Sequence, residues 1–373
     1  MRTAKSIFLF LNTSKMPMTF TKAILEWYGN NSRDLPWRKT HDPYLIWISE
    51  VILQQTRIGQ GLGYYSRFIE RFPSIGELAK ADEEEVLKTW QGLGYYSRAR
   101  NLHSAAKEII KNHNGVFPDN YEKLLELKGI GEYTAAAIAS IAFNLPYPVV
   151  DGNVIRFFSR YFGNLLPVDT MAGKNIIYEK ALSLIDHKQP GMFNQAIMEF
   201  GALQCKPGKP DCDKCPFKKK CLAFLEGIVE RLPIKSKPKK KRIRYFHYFV
   251  IISKKEKGKN FIYLRKREKK DVWKNLYDFP MIETTREINE KKLFSSSEWK
   301  ELIAKDEFHL TDRSHPYKHI LTHQIIFAKF YIIQHLGKQK PRLPYLLVSF
   351  EEINNYPLPR LIEQFFNETM ISF

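Results

Sequence analysis

All four cysteines of the chain fall between positions 205 and 221. Cys205, Cys212, Cys215 and Cys221 have six, two and five residues between successive thiols. A disulfide-stabilised secreted protein would spread its cysteines, whereas four clustered thiolates can enclose a metal group. Two such groups use four thiolates, a zinc ion and a [4Fe–4S] cluster. Zinc ribbons usually pair two short knuckles across a longer gap. Here one short knuckle sits in a compact loop shaped by Pro207, Pro210 and Pro216. That favours the cube-shaped cluster and leaves zinc as the alternative. Two carboxylates suggest acid and charge chemistry. Glu50 lies in PYLIWISEVILQQTR, with Ile46 and Leu53 on its helix face. A carboxyl among apolar neighbours has a raised pKa and can stay protonated as an acid. Asp151 precedes Gly152 at a helix start, where an aspartate is ordinarily a cap. A third feature, LKGIGEYTA at Leu127–Ala135, places Gly129 and Gly131 between two helical patterns. Such a hairpin exposes backbone N–H groups to a phosphate without reading sequence.

The elements around these residues divide the chain. Residues 18–226 place apolar side chains at spacings of three and four, the mark of helices. Asp42 before Pro43 and Asp82 before three glutamates are helix starts. Residues 227–244 read as a linker, because PIKSKPKKKRIR carries two prolines and seven basic residues. Residues 245–373 turn to short β-branched and aromatic runs with a helical tail, as expected of a separate α+β domain. Residues 1–17 read as a disordered extension, with Met1, Met16 and Met18 all available as starts. The excess of 59 Lys+Arg over 40 Asp+Glu, a net charge of +19, favours a polyanionic partner. No apolar stretch is long enough to span a bilayer. One phrase, QGLGYYSR, occurs at Gln60–Arg67 and again at Gln91–Arg98. Its flanks differ, so it is not a solenoid repeat. Two glycines in eight residues suit a turn better than a helix interior.

Taken in order, these motifs resemble those of the endonuclease III superfamily, and within it the MutY-type adenine DNA glycosylases. The likeness rests on RDLPWRKTHDPYLIWISEVILQQTR, WQGLGYYSRARNLH, LKGIGEYTAAAIASIAF, DGNVIRFFSR and the four-cysteine loop. It implies a multi-domain protein: an all-α helix-hairpin-helix glycosylase with an iron–sulfur loop, followed by an α+β Nudix-like domain. It implies a [4Fe–4S] cofactor on the four cysteines. It also implies a monomer acting on double-stranded DNA with 8-oxoguanine:adenine mispairs, without a membrane, in a bacterial-type cytoplasm and nucleoid. Glu50 then matches the acid that protonates a flipped-out adenine, Asp151 the carboxylate beside the cationic sugar, and Asn153 its polar support. Tyr133 stands where bifunctional relatives carry a Schiff-base lysine, so the resemblance implies a monofunctional enzyme. Arg38, Gln55, Thr56, Gly129 and Gly131 match DNA contacts, and Leu93 and Tyr95 match a wedge inserted into the base stack. The first QGLGYYSR copy carries no matched chemistry, and its rings are expected to pack. In the Nudix-like part WKNLYDFP and YPLPRLIEQF fit, but the acidic hydrolase box is missing. Thr322 and His323 match a lesion-reading loop, where Leu321 replaces an aromatic residue. A thymine or uracil mismatch glycosylase and an inactive mismatch-binding protein are the alternatives.

Overall fold

The computed structural model describes residues 17–237, 240–254, 260–269, 271–303, 308–336 and 345–369. Most of the expected N-terminal extension, and Pro238 and Lys239 of the basic run, lie outside the described residues. The first part is helical: α1 (Pro17–Asn31), α2 (Pro43–Leu53), α3 (Ile58–Arg71), α4 (Ile75–Lys80), α5 (Glu83–Thr89) and α6 (Ser97–His113). It continues through α7 (Tyr121–Glu126), α8 (Glu132–Ile141), α9 (Gly152–Tyr161), α10 (Met171–Leu184), α11 (Pro190–Leu203) and the single turn α12 (Leu222–Leu225). Asp42 caps α2 as expected, accepting from the Tyr44 N–H with Pro43 in the first turn. Asp82 precedes α5 without a side-chain cap bond, so the run Glu83–Glu85 at the positive helix end marks that start.

Among the described residues the second part forms a sheet of eight strands: β1 (Arg242–Lys254), β2 (Asn260–Lys266), β3 (Tyr277–Asp278), β4 (Met281–Thr284), β5 (Phe308–Arg313), β6 (Tyr317–Ile320), β7 (Gln324–His335) and β8 (Leu346–Ser349). Its path runs β3-β2-β1-β7-β5, with β4 on β1, β6 on β7 and β8 on β2. The β1 and β7 strands pair in parallel from Arg242↔Gln324 to Ile252↔Gln334. Helices α13 (Glu290–Phe294) and α14 (Ser297–Ile303) cover one face, through Leu293, Trp299 and Leu302 on Phe249 and Tyr331. On α15 (Arg360–Thr369), Phe365 stacks against Phe330 at 4.0 Å between ring centroids.

The chain separates into two compact units, and the boundary is not the linker alone. One unit holds residues 1–69, 74–76 and 104–237; the other holds 70–73, 77–103 and 238–373. The α5 helix and the second QGLGYYSR copy therefore group with the sheet. The first copy departs from its expected turn, because it lies inside α3. Gly61, Tyr65 and Phe68 make one buried stripe at helical spacing there, and Tyr65 meets Trp37 edge-on at 5.0 Å. The second copy is the turn, with Gly92, Gly94 and Tyr95 at φ +91°, +73° and +49°.

Candidate active site and the loops around it

Helix α2 is buried on nearly every side, and that carries Glu50 out of water at 6% exposure. The Tyr133 hydroxyl, from the first turn of α8, donates to Glu50 Oε2 at 2.5 Å. Burial pushes the Glu50 carboxyl up to about 7; nearby Asp151 adds to this, while Tyr133 and Arg38 oppose it. Tyr133 is pushed well above 10 by burial and by the two carboxylates, so it remains a donor. Asp151 faces the same cleft, about 760 Å³ of open space lined also by Thr56, Asn153 and Arg38.

Asp151 divides its oxygens between two roles. Oδ1 caps α9, accepting from the N–H groups of Asn153 at 2.9 Å and Val154 at 2.7 Å. Oδ2 accepts from the Asn153 side-chain amide at 2.6 Å. Arg156 Nη2 donates to Asn153 Oδ1 at 2.9 Å, which fixes the orientation of that amide. Arg156 in turn donates to the carbonyls of Gly201 at 2.6 Å and Cys205 at 2.8 Å. Gly201 has no room for a side chain, because a Cβ would lie 2.6 Å from the Asn153 carbonyl oxygen. Burial raises the Asp151 carboxyl above its usual value, and the bonds from Val154 and Asn153, with the charge of Arg156, hold it back.

The four cysteines are free thiols, half-buried, and all line one pocket, about 380 Å³ of space open to solvent. Phe217 of this loop joins an aromatic cluster with Phe20, Phe157 and Phe200, against which Cys205, Cys215 and Cys221 pack. Buried Arg160 holds the backbone, donating to the carbonyls of Lys206, Gly208, Val229 and Leu232 and standing 3.5 Å from Cys205 Sγ. Burial, with the neighbouring sulfurs adding to it, pushes the Cys215 thiol up to about 12. Buried neighbouring thiols ionise together only beside a compensating cationic group. Among the described residues, no three or more His, Cys, Asp or Glu side chains gather as for one metal ion. The shared cavity and the donor set fit a larger thiolate-bound group.

The remaining expected contacts are spread out. Gly129, at φ +82°, turns the chain between α7 and α8, and Gly131 is the bare N-cap of α8. Gln55 is exposed at φ +58° beyond the end of α2. Arg38 is committed inward, donating to both oxygens of Glu199 at 2.9 and 2.7 Å. In the second unit Leu93 is turned inward at 8% exposure. Tyr95 is exposed, and its hydroxyl lies 2.9 Å from that of Thr322. His323, next in the same loop, is exposed.

The model of the HhH-GPD superfamily base excision DNA repair protein matches residues 48–169, and that of the NUDIX domain matches residues 247–368. The chain is 36% identical over 283 residues to the adenine DNA glycosylase of Buchnera aphidicola subsp. Acyrthosiphon pisum (strain APS), covering 74% of this chain and 78% of that one. The chain belongs to the adenine DNA glycosylase family. The Homo sapiens adenine DNA glycosylase is 39% identical over 223 residues, 57% of this chain and 41% of the human one. Among solved structures, a thermostable thymine-DNA glycosylase superposes with a TM-score of 0.52 at 32% identity, over 56% of this chain and 97% of that one. The helical fold is thus shared by relatives named for different bases.

For this family member, sequence reasoning missed several residues that hold the site. Glu199 is 1% exposed and is gripped by both Arg33 and Arg38. Burial raises its carboxyl, but the bonds from Arg33 and Arg38 outweigh this and bring it to about 2. Buried Asn194 accepts from the Val149 N–H and donates to Ser140 Oγ and the Tyr147 carbonyl, fixing the segment that leads to Asp151. A lone glutamate in the apolar run MFNQAIMEFGAL was the available signal for Glu199. No helix among the described residues is long and apolar enough to cross a membrane.

Proposed function

We propose that the chain is a monofunctional DNA glycosylase that hydrolyses the N-glycosidic bond of adenine opposite 8-oxoguanine, and also opposite guanine, in double-stranded DNA. The observation that carries this reading is the cleft where Glu50, raised to about 7, meets the Tyr133 hydroxyl and Asp151. A protonated Glu50 delivers its proton to the flipped adenine, the C1′–N9 bond breaks, and the electron pair leaves with the base. The Asp151 carboxylate stabilises the positive charge left on the sugar until water adds to C1′ and releases a proton. Tyr133 orients Glu50, and a phenol forms no Schiff base, so the DNA strand stays intact. Cys205, Cys212, Cys215 and Cys221 would hold a [4Fe–4S] cluster, whose iron–thiolate bonds tie the loop together. In the first unit Gln55 and Thr56 serve as DNA contacts and the α8 hairpin at Gly129 and Gly131 binds phosphate. In the second unit exposed Tyr95, Thr322 and His323 read the lesion, whereas Leu93 is packed inward and is not the wedge the resemblance implies. Arg38 acts through Glu199 rather than on phosphate.

The deciding experiment measures base release from four duplexes, adenine or thymine opposite guanine or 8-oxoguanine. Release of adenine with 8-oxoguanine preferred is expected. Release of thymine instead would move the chain to the chemistry for which its structural neighbour is named. Iron analysis of the same protein should find about four irons per chain. A colourless, fully active protein with one zinc would replace the cluster.

A further inference from the structure

The loop that carries Tyr95 is fastened on its hidden side to the end of the chain. Gln91, the first residue of the second QGLGYYSR copy, donates through its amide to Glu363 on α15. Its carbonyl accepts from the Leu358 N–H at 3.2 Å and from Lys88 Nζ at 3.0 Å. Tyr96, 2% exposed, donates from its hydroxyl to the Leu358 carbonyl at 3.1 Å and accepts from the Gly92 N–H at 3.4 Å. Between these anchors lies Tyr95, facing outward to Thr322. The base of the fastening is firm, because Leu361, Ile362 and Phe365 of α15 are buried in the sheet domain. A second set of bonds ties α5 and the start of α6 to the same domain: Tyr277 donates to Glu84 at 2.7 Å, Lys266 pairs with Glu84, and Arg100 of α6 donates to the Lys274 carbonyl at 2.8 Å.

We propose that Gln91, Tyr96 and Glu363 are positioning residues that hold Tyr95 against Thr322, and that this clamp sets the preference for 8-oxoguanine over guanine opposite adenine. The proposal rests on the function proposed above. A side chain reads a lesion only if its own rotamer is locked. The contacts of the Tyr95 side chain, the Thr322 hydroxyl and the Arg98 guanidinium at 5.5 Å from its ring, are made on an exposed left-handed turn where water competes with them. The clamp touches neither the base nor the reacting bond. Its loss should change discrimination while leaving adenine excision from guanine mispairs as it was.

The test is a charge swap. Gln91→Glu sets a second carboxylate beside Glu363, while Gln91→Glu with Glu363→Gln restores an amide–carboxylate pair in reverse. Binding to adenine duplexes with 8-oxoguanine or guanine is measured by fluorescence anisotropy, with single-turnover excision on the same duplexes. Gln91→Glu and Gln91→Ala should lower the binding preference by roughly 5- to 10-fold, the range for one or two hydrogen bonds. The double swap should restore it. An unchanged preference in both single variants, or a double swap that stays impaired, overturns the clamp. Wild type that shows no preference overturns it as well. Wild type that prefers 8-oxoguanine but releases no adenine brings down the proposed function alone and leaves the clamp standing.

Discussion

Glu50 is held by Tyr133 at 6% exposure, whereas Tyr95 is held by Thr322 at 43%. In the cleft, withdrawal from water does the tuning, because desolvation moves the Glu50 carboxyl by more than its neighbours do. In the loop, water competes for each hydroxyl, so one hydrogen bond is worth little and the backbone fastening must supply the geometry. The two regions should therefore fail differently. A change of one atom in the cleft alters the chemistry and spares the grip on DNA. A change in the loop alters geometry and spares the chemistry.

The largest expected effect would break the comparison if it failed. Glu50→Gln keeps the acceptor for Tyr133 but has no proton to deliver, so excision should fall by at least ~10²-fold while duplex binding persists. Asp151→Asn keeps the helix cap but loses the charge and the bond from the Asn153 side-chain amide, and it should cost as much or more. Single-turnover rates beside anisotropy titrations separate the two readouts. Near-normal excision by either variant would remove that residue from the mechanism.

A second prediction concerns pH. The Glu50 carboxyl rises from 4.5 to about 7 on folding, so its protonated form is the one the fold favours. Its contribution to stability is complete below about 4.5 and is lost as pH rises through about 7. Relative to wild type, Glu50→Gln should gain stability across that interval, by up to ~3 kcal/mol, and hold the gain above it. Thermal melts of both proteins between pH 5 and pH 8 would show it, and parallel melting curves would count against a buried acid. The wild-type excision rate should decline over the upper part of the same interval.

The smallest effect sharpens the contrast within the repeated phrase. Gly94 sits at φ +73° with nothing near a Cβ, so Gly94→Ala should cost about 1 kcal/mol through the backbone alone. Gly63, its counterpart in α3, would bring a Cβ no closer than 3.7 Å to Arg67, and Gly63→Ala should stabilise by about 0.5–1 kcal/mol. Urea titrations that give both changes the same sign would show that the copies share a conformation.

That phrase also marks how far the sequence could be read. The cysteines, Glu50 and the hairpin glycines declare themselves by type and spacing, since their chemistry admits few other residues. The phrase itself does not, because its conformation is decided outside it. Phe68 extends a helical stripe beyond the first copy, whereas the second is fixed by Leu358 and Glu363, far away in sequence. For the same reason the grouping of residues 77–103 with the sheet was hidden, as it rests on side-chain pairs such as Glu84 with Tyr277. Asp151 was legible as a cap and as a carboxylate, and in the structure one oxygen takes the cap bonds and the other the Asn153 amide, while the residue lines the cleft.

This division at Asp151 has a consequence for a cell that carries a variant. Stability and activity ordinarily fail together, and a misfolded enzyme is cleared by proteolysis. At this position they separate in large part, because asparagine caps a helix about as well as aspartate and only the bond from the Asn153 side-chain amide is lost. If the function proposed above holds, a cell with Asp151→Asn would keep folded protein that finds the mispair and stays there. Such a variant would shield the lesion from other repair, so co-expressed with wild type it should raise the mutation rate above that of a simple deletion of one copy. A rate equal to that of the deletion would show that the variant does not persist on its target.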